Sequence, residues 1–268
     1  MSFLKKTIPY SVRSLYNKVN WFKNHFTEIN KFSELKSTHY NGPVTYDTDG
    51  LTTSNNCDFI SEPRFAKAYK AAAGTKPWLG FTLQWRVYVV CWLADYVKNL
   101  GGDYVECGVN TGAYSRAIVD YINFNSLGKR FYLLDTFEGF PEWQISEAEY
   151  AAGIAMYGGD HYKDVYRRVV ETFAGFPVEI IKGIVPDILV KCYSDSIAFL
   201  SIDMNAVAPE IAAAEFFWPK LVSGGVMVLD DYGFPRHINQ KLAFDNFATQ
   251  KGVNILCLPT GQGVLFKE

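Results

Sequence analysis

The sequence predicts an α/β fold: a seven-stranded, mostly parallel sheet with helices on both faces and a C-terminal antiparallel hairpin. Three observations carry this. Beyond Gly102, short apolar runs alternate with longer amphipathic stretches, the pattern of strands joined by crossover helices. One of these runs turns through the glycine-containing segment Glu106-Cys107-Gly108-Val109-Asn110-Thr111-Gly112 into a helix, and three others end in acids.

Taken in order, residues from Lys5 to Phe32 place Val12, Leu15, Val19, Phe22 and Phe26 three or four apart, as on one side of an amphipathic helix. Residues from Ser37 to Asn56 are polar, glycine-containing and aperiodic, and read as a loop or linker. Glu62 to Ala73 and Thr82 to Leu100 read as helices, the second closed by Gly101-Gly102 as a C-cap. Five strands follow: Tyr104 to Cys107, Arg130 to Leu134, Val178 to Lys182, Ile197 to Ile202 and Gly225 to Leu229. Val253 to Leu258 and Val264 to Lys267, separated by a Pro259-to-Gly263 turn, form the closing hairpin.

At 268 residues and 49% hydrophobic content, the chain can bury a substantial core. A net charge of -2 gives no broad electrostatic attraction to nucleic acid or to an anionic membrane, so neither is expected as a partner. No run approaches the roughly 20 apolar residues of a membrane span, and the first residues lack the apolar core of a signal peptide. The five cysteines are scattered, odd in number and without CxxC spacing, which argues against a disulfide framework and a zinc site. A cytoplasmic location is expected.

The glycine turn suits a nucleoside cofactor. Gly108 and Gly112 let the backbone approach a ligand and leave helix N-terminal amides free, and Ser115 stands in the first turn of that helix. Asp135 ends the next strand 23 residues beyond Gly112, where a carboxylate can accept from ribose hydroxyls. The turn lacks the third glycine of G-x-G-x-x-G, and Glu106 would repel a pyrophosphate. A cofactor without phosphates, carrying an ammonium and a carboxylate, fits this Rossmann-like arrangement better. Each signal has a plainer reading: a Gly-x-x-x-Gly turn can be tight helix-on-strand packing, and Asp135 a helix cap or solvated strand end.

Three stretches resemble a known family: Gly102 to Val109 (GDYVECGV), Leu134 to Pro141 (LDTFEGFP) and Val228 to Gly233 (VLDDYG). Over about Thr82 to Glu268 the chain is similar to the macrolide and aminocoumarin sugar O-methyltransferases of the TylF/MycF type, within the class I S-adenosylmethionine-dependent methyltransferases. The resemblance implies that Glu106, Gly108 and Gly112 hold the methionine part of S-adenosylmethionine and Asp135 the ribose, with Thr136 and Phe137 beside the adenosine. The chain is therefore read as a methyltransferase domain over residues 61–268, preceded over 1–60 by a helical extension and linker that the resemblance does not cover. Two roles are open to that extension: covering the active site or building a homo-oligomer.

Asp203, Asp230 and Asp231 close the fourth and fifth strands and so share one sheet edge. Clustered carboxylates suit a hard cation such as Mg²⁺, which would make a bound hydroxyl more acidic. In the resembled family these positions are metal ligands. Asp203 and Asp231 are also candidate catalytic groups, as is His237, placed in a loop expected to overhang the pocket. The plainer readings are a helix cap for one of the paired acids and a surface position for the histidine. The family usually reads Asp-x-Asp where this chain has Asp203-Met204-Asn205, with the second acid as general base. Asn205 cannot take a proton, so either the base has moved, a metal-bound acceptor suffices, the acceptor differs, or the chain is inactive.

The insert from Trp143 to Asp160 is expected to form a lid over the acceptor, with Trp143, Tyr157 and Tyr162 as stacking candidates and His161 as a weaker catalytic one. The expected acceptor is a hydroxyl of a small molecule or glycan. An NAD-dependent oxidoreductase and a non-catalytic S-adenosylmethionine-binding homologue are the alternatives.

Overall fold

The computed structural model describes residues 43–77, 80–154 and 164–268. The amphipathic leader over 5–32, His161, Tyr157 and Tyr162 lie outside the described residues.

The segment read as a loop over 37–56 contains a hairpin, with β1 (Tyr46–Thr48) antiparallel to β2 (Leu51–Thr53). Asp49 and Gly50 both have positive φ, 56° and 73°, so the turn has the left-handed geometry that an Asp-Gly pair favours in two-residue hairpins. That signal was in the sequence, but strands of three residues are too short to show a period. The hairpin is fastened to the body by Tyr46 donating to the Thr82 carbonyl and by Thr48 pairing with Thr82 at 2.7 Å.

Helix α1 (Pro63–Gly74) starts with Glu62 accepting from the amides of Arg64 and Phe65, and with Pro63 at its first position. Helix α2 (Gln84–Val97) is shorter than predicted and stops before the Gly101-Gly102 pair. Gly102 has another purpose. At φ 107° a Cβ there would lie 2.8 Å from the Ser196 carbonyl oxygen, so the glycine permits close approach of two chain segments entering the sheet.

Strands β3 (Asp103–Cys107), β4 (Phe131–Asp135), β5 (Val178–Lys182), β6 (Ile197–Ile202) and β7 (Leu221–Leu229) pair in parallel. The connections are α3 (Ala113–Tyr121), α4 (Glu147–Ala151) with α5 (Val165–Phe173), and α6 (Val207–Phe217). After α7 (Ile238–Lys251), the closing strands β8 (Leu256–Cys257) and β9 (Gly263–Phe266) run antiparallel, β9 lying against β7. The sheet order is β5-β4-β3-β6-β7-β9-β8. The predicted seven-stranded sheet and antiparallel end are therefore present.

Alternation along each strand builds two cores. Tyr104, Phe131, Leu133, Phe199, Val226 and Val228 pack with α1, α2 and α3 on one face. Val105, Leu134, Leu200, Ile202, Met227 and Leu229 pack with α6 and α7 on the other. Every residue of β6 is buried, as expected for a central strand covered on both sides. This double cover leaves the C-terminal sheet edge as the open side, at the point where strand order reverses between β3 and β6.

Candidate active site

Two clefts open at that edge. The first, about 100 Å³, lies over the ends of β4 and β5, with Leu134, Thr136, Phe140, Gln144 and Val185 in its wall. The second, about 320 Å³, includes Glu106, the 108–111 turn, Tyr114, Arg86, Asp230 and Asp231. Gly108, Asn110, Asp203 and Asn205 line both, so the two clefts meet there.

Backbone constraints shape the meeting point. Gly108 has φ 89°, and a Cβ on it would fall 1.7 Å from the Asp203 carbonyl oxygen. The residue is glycine because the chain leaving β6 crosses directly above it. Gly112 starts α3 at φ 83°, and a Cβ there would meet the Phe173 ring at 2.6 Å. Gly112 lines neither cleft. Ser115, fully buried, donates to Glu106, and burial pushes the Glu106 carboxyl well up, with Asp135 and Asp230 adding to the shift.

Asp135 faces the glycine turn and also lines the first cleft. Its Oδ2 accepts from the amides of Val109 (2.6 Å) and Asn110 (2.8 Å); its Oδ1 accepts from the Phe137 amide (2.6 Å) and the Thr136 hydroxyl (3.4 Å). A carboxylate has about four acceptor positions; three are taken by amides, and the single Thr136 hydroxyl proton is shared with the nearer Gly139 carbonyl. Burial raises the Asp135 pKa while the three amides pull it down. As arranged, Asp135 braces the turn from the wall of the first cleft, the side on which the sequence reading gave it the ribose. Thr136 lines the first cleft as expected, but Phe137 is 2% exposed, packs on Tyr166 and lines neither cleft.

The lid expectation also changes. In the described part of the insert, Trp143 is exposed, while Gln144 donates to the Val185 carbonyl at 2.6 Å and lines the first cleft. Buried Glu149 accepts from the Val207 amide at 2.6 Å and so caps α6. This segment borders the cleft over β4 and β5, which Asp203 also lines; residues 155–160 of the insert lie outside the described residues.

At the acid edge, Asp203 follows β6, and Asp230 and Asp231 follow β7, as predicted. Burial pushes the Asp203 carboxyl well up, with Asp230, Asp231 and Glu210 reinforcing it; Asn205 Nδ2 donates to Asp203 Oδ1 at 3.1 Å. His237 does not overhang the pocket. It is 3% exposed, with Nδ1 paired to Gln240 Oε1 at 3.0 Å and Nε2 facing Asp231 Oδ2 at 3.4 Å. Asp231 lines the second cleft and His237 lines neither cleft.

Sequence reasoning missed the residue that organises this edge. Arg86 donates through Nε (2.7 Å) and Nη2 (2.9 Å) to Asp49, through Nη1 to Asp230 Oδ2 at 2.5 Å, and lies 3.5 Å from Asp231 Oδ1. Burial opposes its charge, but Asp230, Tyr114, Asp49 and Asp231 outweigh that and raise its pKa. Tyr114 (2.8 Å) and Gln262 (3.2 Å) donate to Asp230 Oδ1. The available signal was a lone arginine among the apolar residues of α2, a placement that requires buried partners.

This donor set does not fit the expected Mg²⁺. Both oxygens of Asp230 are held by arginine, tyrosine and amide donors, and Asp231 is shared between Arg86 and His237. A hard cation needs such oxygens free. Among the described residues no three acidic, histidine or cysteine side chains converge as metal ligands. Nor is any described helix long and apolar enough to cross a membrane.

A search of the curated proteins finds no match. Among solved structures, the O-methyltransferase NovP aligns with a TM-score of 0.58 at 19% identity, covering 68% of this chain and 79% of that one. The calicheamicin methyltransferase CalS11 also aligns at 0.58, with 17% identity, covering 86% and 99%. At such identities the likeness is one of fold. The family described as Macrocin-O-methyltransferase (TylF) matches residues 49–257, beginning at the very aspartate that grips Arg86. The chain belongs to the TylF macrocin O-methyltransferase family and is an S-adenosylmethionine-dependent O-methyltransferase.

Proposed function

We propose that the protein methylates a sugar hydroxyl, on a small molecule or glycan, with Asp231 as the base. The carrying observation is the pair of joined clefts, one walled by the β4 and β5 ends and the other by the glycine turn and acid edge. A molecule made of a nucleoside and an amino acid spans such a junction. The first cleft takes adenosine, Thr136 and Asn110 lie beside its ribose, and Glu106 faces the methionine ammonium. Gly108 and Asp135 are part of the wall of the first cleft, while Gly112, Ser115 and Phe137 act indirectly, by fixing the backbone behind it.

S-adenosylmethionine supplies the methyl group as a sulfonium. The acceptor oxygen bonds to the methyl carbon as the carbon–sulfur bond breaks, and the hydroxyl proton passes to Asp231. Asp231 suits this role because its side chain, 18% exposed, faces the second cleft. Asp203 lines both clefts and accepts from Asn205 Nδ2, so we give it the role of orienting the acceptor and leave the proton to Asp231. His237 is a positioning residue that holds Asp231 from behind. This answers the loss of an acid at Asn205, since the base moves one strand along the same edge. Mg²⁺ has no part in the reading. A cytoplasmic location is proposed from the free thiols of Cys91, Cys107 and Cys192, all buried.

The test is Asp231→Asn, assayed against a panel of nucleotide-linked and free sugars with calorimetry of S-adenosylhomocysteine binding alongside. Turnover should fall roughly 10²- to 10⁴-fold with binding retained. An unchanged rate removes Asp231 as the base. Absence of methyl transfer to any sugar, with transfer to a phenolic acceptor, removes the sugar.

A further inference from the structure

We infer that Arg86 takes the place of a divalent cation at the acid edge, so that this enzyme positions its acceptor with a built-in guanidinium. The inference rests on reading the second cleft as the acceptor side of a methyltransferase.

Five side chains from four parts of the sequence build this position. Asp49 presents both carboxylate oxygens to Nε and Nη2, which fixes the plane and direction of the guanidinium. Nη1 then reaches Asp230 Oδ2, with Asp231 Oδ1 next nearest. Tyr114 and Gln262 fill the other oxygen of Asp230. An incoming cation would have to break these bonds and expel a buried positive charge from a site it shares with three carboxylates. Removing one partner from such a buried cluster is strongly unfavourable. The hairpin turn that supplies Asp49 ties the arrangement to the fold, because Asp49 and Gly50 adopt the paired left-handed conformation that aims the acid inward.

The same geometry supplies what the cation would have supplied. A guanidinium has five N–H donors, and three are spent on Asp49 and Asp230. Arg86 lines the second cleft together with Asp231. A hydroxyl oxygen accepting from Arg86 has its proton directed to the adjacent Asp231 carboxylate. The arginine thus polarises and orients the acceptor while the aspartate accepts the proton, with no change in Arg86's own protonation.

Mn²⁺, followed by electron paramagnetic resonance, tests this on the full chain. In wild type the free-ion signal should match buffer at every protein concentration, and methyl transfer should be unchanged by EDTA. Arg86→Met should open the carboxylates and withdraw about one equivalent of Mn²⁺, whereas Arg86→Lys should stay closed. A saturable Mn²⁺ site in wild type that disappears in Asp230→Asn overturns the inference, a result that needs no Arg86 variant to fold. A folded Arg86→Met protein that gains no site also overturns it, because something else would then exclude the ion. Calorimetry of S-adenosylhomocysteine on the same samples reads the other cleft. Binding of the nucleoside beside a wild-type Mn²⁺ site sinks only the role of Arg86; failure to bind it sinks the methyltransferase reading instead.

Discussion

The two sides of the joined clefts are built in different ways. The cofactor side is made of backbone: the 108–112 turn, the Asp135 carboxylate that gathers three of its neighbouring amides, and the crossing of the chain at Gly108 and Asp203. Its parts are near one another in sequence or sit at adjacent strand ends. The acceptor side is made of side chains from Asp49, Arg86, Tyr114, Asp230, Asp231 and Gln262, drawn from almost the whole length of the described chain. A backbone site takes its shape from local chain geometry. A side-chain site depends on which distant charged groups the fold brings together.

The contrast can be broken most severely at Gly108. Gly108→Ala places a methyl group on the Asp203 carbonyl and should cost roughly 4 kcal/mol or more, with loss of S-adenosylhomocysteine binding, as read by thermal melting and calorimetry. Retention of binding would show that the crossing above the turn is looser than described. A smaller break is Asp135→Ala, which strands the amides of Val109, Asn110 and Phe137 and should cost about 2–4 kcal/mol. If Asp135 instead served ribose alone, the apo protein would keep its melting temperature and only cofactor affinity would fall.

The pH dependence of stability sharpens the comparison from the side of the acids. Glu210 is buried beneath the Asp203–Asn205 segment and accepts from the Met204 amide at 3.0 Å. Burial, with Asp231 nearby, raises its pKa from 4.5 to about 8. A carboxyl raised on folding favours the folded state when protonated, so its contribution is full below pH 4.5 and is lost as pH climbs to about 8. Wild type should lose on the order of a few kcal/mol over that interval by urea denaturation, and Glu210→Gln should flatten the profile. Identical slopes would assign the effect elsewhere. The smallest effect is expected of Thr75→Val, which removes the 2.9 Å hydroxyl pair with Thr111 behind the glycine turn and should cost about 1 kcal/mol in melting experiments.

Strand positions were legible because strands buried on both faces are short apolar runs with punctuated ends. Val178–Lys182 and Ile197–Ile202 fall at their predicted limits. The β1–β2 hairpin and the end of α2 were not, since three-residue strands lack a period and Gly101-Gly102 resembles a cap. Asp203, Asp230 and Asp231 were found because strand-end acids in a parallel sheet must share an edge. What they bond to was hidden. The positive charge that engages two of them comes from a helix 144 positions away from Asp230 in sequence, and the Asp49 carboxylate that fixes its direction comes from a turn that reads as polar linker.

The sequence alone determined the sheet, its glycine turn and the edge on which the chemistry lies, because these follow from local periodicity, positive φ and strand polarity. Only the tertiary structure decided that Asp135 braces the glycine turn, that His237 stands behind Asp231, and that an arginine occupies the acid edge. Those outcomes depend on long-range pairing of buried charges, and no local pattern of residues encodes which distant partner a buried charge will meet.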